Sequence, residues 1–208
     1  MNKIGLLTCF LMVAGLSVLA QKLSGDITPL KGQKEVNVVL VFSGTLVNGE
    51  TEDKYIAKET KDKTEKEKEK WLSEWNERLR SDAYSMLIRD LNKIVGAKLF
   101  LTGDYPQAEY TINIKIKDIT TGYFKGPFTQ PSELKADVGF VKKSETTPFA
   151  TAIFKNSCSF YSSVVPYFVA RIAMSFGTLG GDIGKIIYKT IGVEVFEMDV
   201  FEMDFYNE

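Results

Sequence analysis

Histidine is absent from all 208 residues, and cysteine occurs only at Cys9 and Cys158. The first absence removes Ser-His-Asp and Cys-His catalysis, histidine general bases and every histidine-containing zinc motif. The second leaves no internal disulfide once Cys9 departs with an N-terminal leader, and a single thiol cannot build a thiolate metal cage. An excess of charge of one sign is also lacking: 26 basic and 27 acidic groups give a net charge of −1, which predicts no nucleic-acid partner. Nucleotide-binding glycine patterns are missing as well. Gly184 and Lys185 are followed by Ile186 where a phosphate loop needs Ser or Thr, and Leu179 stands where its opening glycine belongs. The acids Glu197, Asp199, Glu202 and Asp204 alternate but lack the loop glycine and closing Glu of an EF-hand. Carboxylate pairs are all that remains for catalysis, and Glu50, Glu52, Asp53 and Asp104 fall in turn-like segments where solvated acids belong. The expectation is a protein with no enzyme activity, no cofactor and no metal.

Long apolar runs are confined to the N-terminus. Lys3 precedes an apolar stretch from Ile4 to Leu19, shorter than the roughly 20 residues a spanning helix needs, and Val18-Leu19-Ala20 supplies small or apolar residues before a cut at Gln21. Residues 1–20 therefore read as a signal peptide, with an uncleaved anchor as the other reading, and no transmembrane segment is expected after cleavage. Cys9 lacks the small-residue pattern of a lipidation site, so a periplasmic or otherwise secreted, unlipidated protein is expected. Cys158 lies among Phe154, Phe160 and Tyr161 with no nearby base to lower its pKa, and reads as a buried small hydrophobe.

Residues 21–34 read as an extended entry segment, 35–192 as one domain, and 193–208 as an acidic, aromatic tail or edge strand. The 12% aromatic content is enough to give that domain a substantial core. Val36 to Thr45 carries apolar residues on both faces and predicts a central strand. Asn48 to Lys70 is a run of cancelling charges and reads as a solvated loop leading into a helix. Leu72, Trp75, Leu79, Ala83, Met86, Leu87, Leu91 and Ile94 recur at helical steps up to Gly96. Strands follow at Leu99 to Thr102, at Tyr110 to Lys117 with strict alternation, and at Leu134 to Phe140 after a Gly- and Pro-rich turn. Phe149 to Phe160 completes a meander. Pro166 opens a second helix, interrupted by Gly177, Gly180, Gly181 and Gly184, which act either as a hinge or as a face for close packing. The fold class is α+β: a mixed, largely antiparallel sheet of about five strands with two long helices packed on it.

Two sets of residues stand out as candidate sites. The five-residue unit Val195 to Asp199 is repeated at once as Val200 to Asp204, which offers Phe196, Met198, Phe201, Met203, Phe205 and Tyr206 as a partner-docking surface, either as a strand with a slip or as a tail. Trp71 and Trp75 are one helical turn apart and suit either stacking on a sugar ring or anchoring a core.

The order strand, long helix over 66–95, strand near Leu99, then Ala108-Glu109-Tyr110 with Thr111-Ile112-Asn113-Ile114 leading into a meander and closing helix resembles a group of envelope proteins. That group shares the fold of the curli-secretion lipoprotein, the amino-terminal domain of the Tol-system translocation protein and the lipoprotein activators of peptidoglycan synthases. The resemblance covers about residues 34–190 and implies an adaptor or accessory in envelope assembly. The chain departs from the group in having no lipidation cysteine and in its repeated tail, so neither tethering nor pore formation is carried over. A non-enzymatic envelope module with a protein partner is expected, or alternatively a glycan or peptidoglycan binder using Trp71 and Trp75.

Overall fold

The computed structural model describes residues 23–125 and 128–192. The entry segment, expected to be extended, contributes an edge strand β1 (Leu23–Gly25) and a 3-10 turn (Thr28–Leu30) that buries Ile27 and Leu30. Strand β2 (Glu35–Val41) follows. Two short strands, β3 (Leu46–Val47) and β4 (Glu50–Thr51), then lead into α1 (Glu52–Thr60). Here the expected solvated loop is corrected. Tyr55 and Thr60 give that segment a buried stripe, and Glu52 and Asp53 sit favourably in the first turn of the helix.

The long helix is present but not uniform. Helix α2 (Glu65–Ser73) starts on a capping box in which the Glu67 backbone N–H donates to Thr64 Oγ1 at 3.4 Å and the Thr64 N–H donates to Glu67 Oε2 at 2.9 Å. A π turn spans Glu74–Arg78, and α3 (Leu79–Val95) continues from it with Leu79, Ala83, Leu87, Leu91 and Val95 buried on one face. Strand β5 (Leu101–Gly103) and strand β6 (Tyr110–Thr120) come next. The Gly- and Pro-rich turn is itself a hairpin, β7 (Tyr123–Lys125) with β8 (Phe128–Gln130), and β9 (Glu133–Lys142) and β10 (Ala150–Cys158) close the meander. A 3-10 turn (Phe160–Val164) then precedes α4 (Phe168–Ile191).

The main sheet runs β1-β10-β9-β6-β2-β5, with β3 pairing β6 and β4 pairing β3. Strands β10, β9 and β6 are antiparallel, whereas β2 pairs in parallel with both β5 and β6, as expected when a helical crossover links β2 to β5. One face holds the core. Ile112, Ile114, Ile116, Val138, Phe140, Ala152 and Phe154 are buried there under α3 and α4, while the residues between them point outward. Strand β2 is interior, as its sequence predicts, but its second face is uncovered among the described residues: Val36 and Val38 are buried and Val39 is 39% exposed.

Helix α4 is continuous through its glycines, so they pack and do not hinge. It lies alongside α3 in the same direction, with Phe168 against Trp75 at one end and Lys98 over the Tyr188 ring at the other. The crossing is close at Gly180, where a Cβ would lie 2.2 Å from the Leu87 carbonyl oxygen. Only a glycine lets the backbones approach to this extent.

Candidate functional site

Among the described residues, a group of exposed apolar side chains stands where the β7–β8 hairpin meets the 3-10 turn 160–164. Five large apolar side chains stay in water there: Phe128 at 72%, Tyr161 at 71%, Val164 at 62%, Tyr123 at 43% and Phe124 at 40% exposure. Isolated exposed apolar residues need no explanation, but a contiguous group does. The hairpin register pairs Tyr123 with Gln130, Phe124 with Thr129 and Lys125 with Phe128. Alternation along the strand therefore puts Tyr123 and Phe128 on one face of the ribbon and Phe124 on the other.

A buried guanidinium holds this end in place. Arg171, in the first turn of α4 and 5% exposed, donates from Nε to the Thr121 carbonyl at 2.9 Å and from Nη1 to the Val165 carbonyl at 2.8 Å. Weaker contacts reach the carbonyls of Pro166 at 3.3 Å and Gly122 at 3.5 Å. Thr121 and Gly122 form the base of the hairpin, where Gly122 takes φ +63°, and Val165 and Pro166 follow the 3-10 turn. One planar fork thus ties both exposed elements to the helix. No carboxylate among the described residues forms an ion pair with Arg171; backbone carbonyls accept its hydrogen bonds, and burial pulls its pKa below the ordinary guanidinium value, against a smaller opposing effect of Tyr55. The joint is reinforced by Ser132, whose N–H donates to Ser162 Oγ at 3.0 Å and whose carbonyl accepts from Ser175 Oγ at 2.7 Å. Nearby Tyr55 is 6% exposed; its phenol is pushed up to about 12, first by burial and then by the charge of Glu59.

Sequence periodicity did not single out these residues. The available signal was composition: Tyr123, Phe124 and Phe128 in a Gly- and Pro-rich turn, and Arg171 as the one charged residue between Lys155 and Asp182.

The tryptophans form a different cluster. Trp71 and Trp75 stack with centroids 5.5 Å apart and planes 6° from parallel, and Phe168 stacks on Trp71 at 5.7 Å. Trp75 is 2% exposed and its indole N–H donates to Glu52 Oε1 at 2.8 Å, an oxygen that also accepts from Arg80 Nη2 at 2.9 Å. Two open rings are therefore not presented to a sugar, because Trp75 is enclosed by the packing of α1 and α4 on the π turn. Half-buried Trp71 alone borders an open cleft of about 330 Å³, together with Lys63, Glu67, Lys70, Glu74 and Tyr167.

Cys158 is half-buried, not fully buried as expected, because it closes β10 at the rim of the sheet; burial and the Glu133 charge push its thiol up. Phe196, Met198, Phe201, Met203, Phe205 and Tyr206 lie outside the described residues. Among the described residues no group of three His, Cys, Asp or Glu side chains is placed to hold a metal ion, and no helix is long and apolar enough to cross a membrane.

No protein-family model matches the chain, and no curated protein matches it. Among solved structures, it is similar to the PelC dodecamer from Paraburkholderia phytofirmans at 10% identity, over 77% of this chain and 95% of that one, with a TM-score of 0.39. A single-residue variant of the same dodecamer is similar at 13% identity, over 76% and 95% of the two chains, with a TM-score of 0.33.

Proposed function

We propose that this chain is a non-enzymatic accessory of a bacterial cell envelope, exported by its leader, that works by docking through the aromatic end built from β7, β8 and the 3-10 turn 160–164. One observation carries the reading: five large apolar side chains remain exposed on two elements that a buried arginine fixes to the fold. Leaving such a patch in water is a liability for a monomer unless something covers it. The leader-like N-terminus and the resemblance to envelope accessory proteins support the compartment, and the missing histidine supports a role without catalysis.

Fractionation of cells tests this reading. A triple variant, Tyr123→Ser with Phe128→Ser and Tyr161→Ser, changes only exposed positions and should fold as the parent does, which circular dichroism checks. The parent is expected in the envelope fraction and the variant in the soluble extracytoplasmic fraction. Equal retention of both would remove the aromatic end from the function. A glycan-binding role would then fall to the Trp71 cleft, and co-sedimentation with cell-wall sugar lost on Trp71→Ala would establish it.

A further inference from the structure

Resting on that reading, we infer that the aromatic end is a membrane-interface contact that seats in the headgroup layer of an anionic phospholipid bilayer. The hairpin is a thin ribbon with exposed rings on both faces, Tyr123 and Phe128 on one and Phe124 on the other. A protein partner laid against one face would leave the other ring in water, whereas immersion in an interfacial layer covers both. Interfacial binding of this kind needs an apolar face entering only about 5–10 Å.

Tyrosine suits a depth where its ring is apolar and its hydroxyl is wet, and phenylalanine suits the layer just below. This end carries both kinds of ring, Tyr123 and Tyr161 beside Phe124 and Phe128. Charge agrees, since exposed Lys125 lies within the hairpin while no acid occurs between Asp118 and Glu133 or between Glu145 and Asp182. A lysine among these aromatics complements phosphate headgroups. Strands β7 and β8 pair over three positions, so this stretch of chain satisfies part of its own hydrogen bonding before it leaves water.

Vesicle flotation tests the inference. Protein beginning at Gln21 contains every described element and lacks the apolar leader, and circular dichroism checks that it folds. It is expected to float with vesicles of phosphatidylglycerol and phosphatidylethanolamine, and more weakly with phosphatidylcholine alone. Phe128→Ser should lower partitioning roughly tenfold or more, the loss of one buried aromatic ring. Lys125→Gln should lower it about fivefold on the anionic vesicles only. Val39→Ser, at an exposed position on the open sheet face, should leave it unchanged. Flotation indifferent to Phe128→Ser would overturn the inference, as would no flotation at all. If vesicles fail while a photo-crosslinker at position 128 captures a protein in cells, the bilayer inference falls and the docking reading stands; if both fail, both fall.

Discussion

Gly180→Ala is expected to destabilise the fold even though alanine is the better helix former. In an open helical position the exchange gains about 1 kcal/mol in propensity. At Gly180 the added Cβ meets the Leu87 carbonyl oxygen at 2.2 Å, its carbon at 3.0 Å and its Cα at 3.1 Å. All three are backbone atoms of a neighbouring helix, so no side chain can rotate away and α3 and α4 must part. Overpacking of this kind costs about 1–3 kcal/mol, and moving two helices across a shared core belongs at the upper end. The net loss is about 1–2 kcal/mol, a fall in Tm of roughly 3–6 °C for a chain of this size. Gly181 is the internal control: the nearest atom to its added Cβ is Ile94 Cδ1 at 4.0 Å, an ordinary contact. Gly181→Ala should therefore gain up to about 1 kcal/mol. Urea and thermal unfolding followed at 222 nm read both variants. Opposite signs are expected, and equal stabilisation by the two alanines would refute the close crossing and restore the glycines as a hinge.

Other residues carry further expectations. Arg171→Met should cost about 3 kcal/mol by orphaning the Thr121 and Val165 carbonyls, and amide exchange should rise first in 121–132 and 159–166; Arg171→Lys should not rescue it, because one ammonium cannot span both loops. Tyr55 ionises in the folded protein at about 12 against an ordinary 10, so its contribution to stability is complete below pH 10 and is lost as pH rises from 10 through 12. That contribution is on the order of 3 kcal/mol, and Tyr55→Phe should flatten the alkaline fall in stability seen by denaturant titration. Thr64→Ala removes the capping box of α2 and should cost about 1 kcal/mol in the same assay.

How much of this was legible beforehand depended on whether burial imprints a period. Strands β6 and β9 were readable because one face packs and the other is wet, which writes strict alternation into Tyr110 to Lys117 and Leu134 to Phe140. The 65–95 helix was readable from its buried stripe, but the π turn was not, since widening one turn leaves apolar spacing near three and four residues. Helix α1 escaped because only Tyr55 and Thr60 are buried in it and its charges resemble a wet loop. The aromatic end escaped for a deeper reason. Sequence shows that Tyr123, Phe124, Phe128 and Tyr161 are apolar, but which of them find cover depends on where β9 and α4 leave the hairpin. Arg171 is the same case inverted: its partners are carbonyls, which every residue owns and no motif marks.

The most direct test of the account is site-specific photo-crosslinking in intact cells, with the crosslinker placed either at Phe128 or at Lys117 on the opposite, open sheet face. The account predicts adducts from position 128, to phospholipid where the bilayer contact holds or to a discrete protein where only the docking reading does, and none from position 117. Adducts from 117 with silence at 128 would contradict it and move the docking surface to the sheet.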